Sequence, residues 1–343
     1  MELVTLDEII AARERIQDTA LYTPMLDVPW PHLRTSRPQD LKTSGPHDLK
    51  PSIPQALRPS LLLKAESLQP MGAFKIRGAF NMIAQLPKEN LQRGVITYSS
   101  GNHGQAVAMA AQKLGAPAVI VMPTTAPQVK IDGCKSYGAE VIMEGTTSLD
   151  RQKRAEHEAA ARGLTMVPPF DHKQIIIGQG TMGLEILEQC PEVGTVFVPV
   201  GGGGMASGVA AAIKLSKPSV RIVAVEPAGA PKMTKSREAG QPVTLPSSKS
   251  IADGLMNLRP GDITFAHVQK FVDEVVTVSE EDIASTVAWL FRNARLVVEP
   301  SGAVTTAAVA LGLGNIDLAK GPVVAVVSGG NVSPESFAKY LSQ

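Results

Sequence analysis

From Leu61 to the C-terminus, short apolar, β-branched runs alternate with longer segments whose apolar residues recur at helical spacing, and this alternation limits the fold more than any other feature. GVITYSS (94–100) precedes NHGQAVAMAAQKLG (102–115), APAVIVMP (116–123) precedes APQVKIDGCKSYGA (126–139), and AEVIMEG (139–145) precedes SLDRQKRAEHEAAARG (148–163). GTVFVPV (194–200) precedes GMASGVAAAIKL (204–215), VRIVAVEP follows at 220–227, and PVVAVVSGG (322–330) closes the series before a last helix near SPESFAKYLS. A strand that is apolar at every position has both faces covered, which implies parallel-rich sheets flanked by helices. The expected class is α/β.

In that class, ligands gather where strands end and helices begin. VFVPVGGGGMASG (196–208) is a buried strand, four glycines and a helix start. Amides of Gly201, Gly202, Gly203 and Gly204 can approach one anion without Cβ interference, and the helix adds its positive end. Two occupants fit. The run satisfies G-x-G-x-x-A through Gly201, Gly203 and Ala206, with Glu226 placed as a ribose-binding acid, so a nicotinamide dinucleotide dehydrogenase is one reading. A compact monophosphate is the other.

TYSSGNHGQAVA (97–108) sets Ser99, Ser100, Gly101, Asn102 and His103 between a strand and a helix, where Asn102 is a natural cap and first-turn amides can hold a carboxylate. No G-x-S-x-G elbow accompanies these hydroxyls, so a serine hydrolase is not indicated. Ser328 also follows a buried strand, where its hydroxyl could meet a heterocycle. MGAFKIRGAF (71–80) carries Lys75 at a helix start. Alone, that lysine reads as a surface residue.

Net charge is +1 from 33 Lys+Arg against 32 Asp+Glu, so neither nucleic acid nor an anionic membrane is expected as a partner. The two cysteines, Cys134 and Cys190, lack metal spacing and fit a reducing compartment. MELVTLDEIIAARERI has no cationic-then-apolar run, and no segment approaches the ~18 apolar residues of a membrane span. The expectation is a cytoplasmic protein acting on a small molecule. Residues 31–61 repeat the theme Pro-x-x-Leu-Lys/Arg-Thr/Pro-Ser, and proline at that frequency favours an extended surface excursion.

Together FKIRGA, SSGNHGQA (99–106), IIGQGT (176–181), VPVGGGGMASG and SGGN (328–331), with IADG (251–254) and VVEPSGA (297–303), resemble the pyridoxal-phosphate enzymes of fold type II, nearest the serine racemase and threonine/serine dehydratase group. The likeness runs in order from about Leu62 to the C-terminus. It implies a two-domain fold like the tryptophan synthase β chain: a large cofactor-binding domain of residues 1–92 plus 173–343, and a small domain of 93–172. It implies pyridoxal 5'-phosphate as cofactor, held by Lys75 as a Schiff base, with Phe74 near the ring, Gly201 to Gly204 and Met205 on the phosphate, Asn102 on the ring hydroxyl and Ser328 on the ring nitrogen. A hydroxyl at the ring nitrogen makes a weaker electron sink than a carboxylate would, which suits prompt β-elimination.

The activity implied is an ammonia-lyase converting L-threonine, L-serine or another β-hydroxyamino acid to a 2-oxo acid and ammonia. Ser99, Gly101 and His103 would hold the substrate carboxylate, Lys75 would remove the Cα proton, and Arg151 would close over the substrate. Ser100 would place a second proton donor on the other face, which keeps serine racemase with side elimination as the alternative. A homodimer is implied by resemblance alone. No metal is expected: Glu226 and Ala230 match cation-binding positions of racemase-like members, but Lys232 stands where their aspartate is expected, and an ammonium offers no lone pair. Lys232 is expected to pair with Glu226.

Overall fold

The computed structural model describes residues 2–31, 60–99, 101–126 and 128–342. The proline-rich stretch therefore lies outside the described residues except at its ends, as does Ser100. At its C-terminal end the excursion is shorter than expected, because Ser60 and Leu61 already pair as strand.

Ten strands form two sheets among the described residues. They are β1 (Met25–Pro29), β2 (Ser60–Ala65), β3 (Val95–Tyr98), β4 (Ala118–Met122), β5 (Glu140–Met143), β6 (Thr165–Met166), β7 (Thr195–Pro199), β8 (Arg221–Pro227), β9 (Glu274–Val278) and β10 (Val323–Val327). The larger sheet runs β1-β2-β10-β7-β8-β9, and the smaller β5-β4-β3-β6. All pairs are parallel except β1 with β2. That antiparallel edge pair, and β9, escaped the apolar-run criterion: β1 reads MLDVP and β9 EVVTV, each mixing polar with apolar residues as half-exposed edge strands do.

The central strands match the expectation. β7, β10 and β4 are buried at every position, and helices cover the faces. Helix Lys173–Gln189 packs along helix Gly204–Ser216, where Gly180, Gly183 and Gly208 let the backbones approach. A methyl on Gly208 would lie 2.2 Å from the Ile176 carbonyl. No helix is long and apolar enough to cross a membrane among the described residues.

Candidate active site

Four chain segments meet between the two sheets. Lys75 precedes helix Ile76–Ile83, and its loop is stitched to the end of β10: Phe74 N donates to Ser328 O at 3.1 Å, Gly330 N donates to Gly72 O at 2.9 Å, and Ala73 bridges Gly329. Ser328 and Lys75 are thus neighbours through backbone pairing, although 253 residues separate them. The Ser328 side chain is buried and donates a long 3.4 Å bond to Ser301 O.

The Lys75 ammonium donates to Pro169 O at 2.7 Å and lies 5.1 Å from the Phe74 ring centre. Among the described residues no carboxylate compensates it, and burial pushes its pKa down to about 8. A lysine that sheds its proton so readily is a nucleophile and a base near neutral pH.

Below Lys75, Arg77 is fixed in a buried ionic cluster. Its guanidinium bonds Glu66 at 2.8 Å through both Nε and Nη2, and Glu185 at 2.6 Å and 2.9 Å through Nη1 and Nη2. Lys64 donates to Glu185 at 2.5 Å and to Thr23 O at 2.7 Å. Burial works against these charges, but the opposed pairs outweigh it and hold the Glu66 carboxyl below its usual range. Two cations and two carboxylates thereby lock the helix that follows Lys75 to β2 and to helix Lys173–Gln189.

The glycine loop is shaped by its neighbours. Gly203 has φ 105°, in the left-handed region where a side chain is strained. A Cβ on Gly202 would lie 2.3 Å from the Phe170 ring, and one on Gly203 2.8 Å from Thr264. Gly202 O accepts from Thr264 Oγ1 at 2.6 Å and from Gly261 N at 3.2 Å, fixing the turn. Among the described residues, no N–H from Gly201 to Met205 donates to another protein group. These open amides at the head of a helix suit a phosphate.

At the end of β3, the Ser99 hydroxyl accepts from Gly101 N at 3.1 Å, so that amide is already satisfied. Asn102 Nδ2 donates to Glu299 Oε1 at 2.6 Å, and Asn102 Oδ1 accepts from Asn331 Nδ2 at 2.8 Å. Asn331 also donates to Met71 O, tying this network to the Lys75 loop. His103 is buried, with Nε2 3.0 Å from Val167 O. Burial, reinforced by the Lys75 charge, pushes its pKa to about 3, so it is neutral in the working range.

Arg151 stands apart from this cluster. It is buried rather than solvated, and its guanidinium turns back on its own helix start, to Ser148 Oγ at 3.0 Å and Thr146 O at 3.4 Å. Its Nε is buried without a partner.

Glu299 was not singled out from sequence. It stands within VVEPSGA at the residue before helix Pro300–Ala310, where its side chain makes no capping bond, is 3% exposed, and has its pKa raised to about 8 by burial and by Asp253, with Lys130 and the Asn102 bond opposing. The signal available was an acid directly before Pro-Ser-Gly at a helix start, which by itself reads only as a cap.

Comparison with known proteins decides between the two readings of the glycine loop. The family model described as pyridoxal-phosphate dependent enzyme matches residues 48–329. The chain belongs to that family. The L-threonine ammonia-lyase of Thermotoga maritima is 45% identical over 283 residues, covering 82% of this chain and 70% of the relative. Among solved structures, maize serine racemase superposes with TM-score 0.85 at 36% identity, covering 99% and 98% of the two chains. The processed form of threonine deaminase isoform 2 from Solanum lycopersicum gives TM-score 0.84 at 34% identity, covering 99% and 89%. The fold is therefore that of the fold type II pyridoxal-phosphate enzymes, and the cofactor is pyridoxal 5'-phosphate.

Glu226 agrees with this outcome. Its carboxylate is fully buried and accepts from Met233 N at 3.0 Å and Thr234 N at 2.8 Å, so it is closed to any ribose. Lys232 Nζ lies 3.3 Å from Glu226 Oε2 and donates to the carbonyls of Val200, Leu255 and Ala230 at 2.9, 2.9 and 3.2 Å. The expected pair forms, and the ammonium fills the centre of a cation-like shell of oxygens. The residues present also fit the cofactor, with open cradle amides for its phosphate and a desolvated lysine for its aldehyde.

Proposed function

We propose that this protein is a pyridoxal-phosphate-dependent ammonia-lyase that converts L-threonine, L-serine or a related β-hydroxyamino acid to a 2-oxo acid and ammonia. The observation that carries the reading is Lys75: a lysine pushed to about 8, beside a phenyl ring and linked by backbone pairing to a buried serine hydroxyl. The relatives named threonine ammonia-lyase and threonine deaminase support it.

In this reading the amides of Gly201 to Gly204 and Met205 would hold the phosphate, Phe74 would lie near the ring, and Asn102 and Ser328 would hydrogen-bond its hydroxyl and its nitrogen. When bound, the cofactor supplies the electron sink that acidifies the substrate Cα–H. Lys75, as a neutral amine, takes that proton. Ser99, Gly101 and His103 line the carboxylate end. His103 is neutral and serves by hydrogen bonding rather than by charge. Arg151 reaches the substrate only after leaving Ser148 and Thr146. The β-hydroxyl departs as water, and hydrolysis of the enamine product gives the 2-oxo acid and ammonia.

Serine racemase with side elimination is the second reading. The superposition on maize serine racemase favours it, and Ser100 is the residue that would reprotonate Cα from the face opposite Lys75. The division into a small domain of 93–172 around β3 to β6 and a large domain of 1–92 plus 173–343 belongs to the same proposal, as do a homodimer and a cytoplasmic location.

Purified protein should be yellow, and borohydride reduction followed by peptide mapping should place the cofactor on Lys75. Assays with L-threonine, L-serine, hydroxyaspartate and phenylserine should release 2-oxo acid from at least one, while chiral analysis of serine reads racemisation. A colourless protein releasing none overturns the proposal.

A further inference from the structure

The carboxylate end of this site lacks a cation among the residues assigned to it. His103 is neutral, Arg151 is bonded to its own helix start, and Lys75 is committed to the chemistry. A different residue approaches it. Lys130, on helix Gln128–Ser136 beside the smaller sheet, reaches across to the turn Asp253–Leu255 beside the larger one. Its ammonium bonds Asp253 Oδ2 at 2.6 Å. The Lys130 side chain is only 11% exposed, against 44% for Asp253.

The ammonium sits over Gly101, the residue before helix Asn102–Leu114. A Cβ built on Gly101 would lie 3.1 Å from both Cδ and Nζ of Lys130. A side chain at position 101 would press on the lysine and shift it by a few tenths of an ångström. An ammonium has three donors, and among the described residues Asp253 takes the only bond from this one. The pair also lies within electrostatic range of Glu299, which Asn102 contacts.

We propose that Lys130 is a specificity-determining residue for the substrate carboxylate: paired with Asp253, it supplies the positive charge beside Gly101 that the loop amides lack. The inference rests on the amino-acid substrate reading above. Asp253 orients the ammonium and, as an anion beside the same site, disfavours a carboxylate whenever Lys130 is missing. A charge-assisted bond of this kind is roughly twice as strong as a neutral one, so its loss should show mainly in substrate binding.

The test compares Lys130→Met, Lys130→Arg and Asp253→Asn holoenzymes. With the best hydroxyamino acid, Lys130→Met should raise KM by about tenfold or more, a larger change than any in kcat. Lys130→Arg should recover most of the loss, and Asp253→Asn should lower KM. In parallel, glycine and ethylamine are titrated against the cofactor absorbance band. Lys130→Met should weaken glycine, which has a carboxylate, and leave ethylamine unchanged. Equal weakening of both amines, or of neither, overturns the proposal. If the wild type turns over no hydroxyamino acid, the functional reading fails, yet the glycine and ethylamine comparison still decides the role of Lys130.

Discussion

Asn102 Nδ2 donates to Glu299 Oε1 at 2.6 Å, joining residues 197 apart in sequence beside the Lys75 loop. Because burial raises the Glu299 carboxyl to about 8, the acid enters the working pH range as a proton holder. The unfolded chain has lost this proton above the ordinary carboxyl value of 4.5, whereas the folded protein retains it up to about 8. Folded protein thus binds more protons in that window, and stability falls as pH rises through it. Glu299→Gln keeps an oxygen for Asn102 but cannot ionise. The difference in unfolding free energy between wild type and variant should shift in favour of the variant by a few kcal/mol, in order of magnitude, between the two ends of the window. Urea unfolding at a series of pH values checks this.

Lys75 titrates in the opposite sense. Its folded value, about 8, lies below the ordinary lysine value of 10.5, so the charged form is disfavoured on folding and stability rises with pH between them. Only the neutral amine attacks an aldehyde. Capture of pyridoxal phosphate by apoenzyme should therefore quicken about tenfold per pH unit below 8 and level off above it. Lys75→Ala should bind the cofactor without the covalent absorbance band and lose turnover by about a thousandfold or more.

Lys232 and Glu226 are both fully buried. Removing one partner of such a pair strands a charge, so Lys232→Met should cost about 3–5 kcal/mol, and Lys232→Met with Glu226→Gln should recover part of it. Because the ammonium already bonds the carbonyls of Val200, Leu255 and Ala230, chelator treatment followed by Mg²⁺ or Ca²⁺ should leave both melting temperature and activity unchanged. Calorimetry and initial rates read the two effects.

Arg77→Met removes the hub of the buried cluster and leaves Glu66 and Glu185 short of a partner. A loss of about 3–5 kcal/mol is expected, read by urea unfolding. Arg77→Lys should rescue little, since one ammonium cannot reproduce the two forked contacts to Glu66 and Glu185.

Much of the fold was legible as pattern. The apolar runs that became β4, β7, β8 and β10 are visible because a buried parallel strand must be apolar on both faces. The tetraglycine turn is visible because positive φ at Gly203 and the crowding at Gly202 admit nothing larger. Edge strands β1 and β9 carry no such mark, since solvent on one side permits polar residues.

The sequence by itself determined the class of fold and, through motifs that resemble a known family, pointed to the cofactor and to candidate residues for it, each motif contained in a few adjacent positions. Only the tertiary structure decided what those residues can do. It made His103 neutral by burying it, turned Arg151 onto its own helix, brought Glu299 to Asn102 and set Lys130 over Gly101. The physical reason is that a side chain's charge depends on desolvation and on partners far away in the chain. No short stretch of sequence contains either.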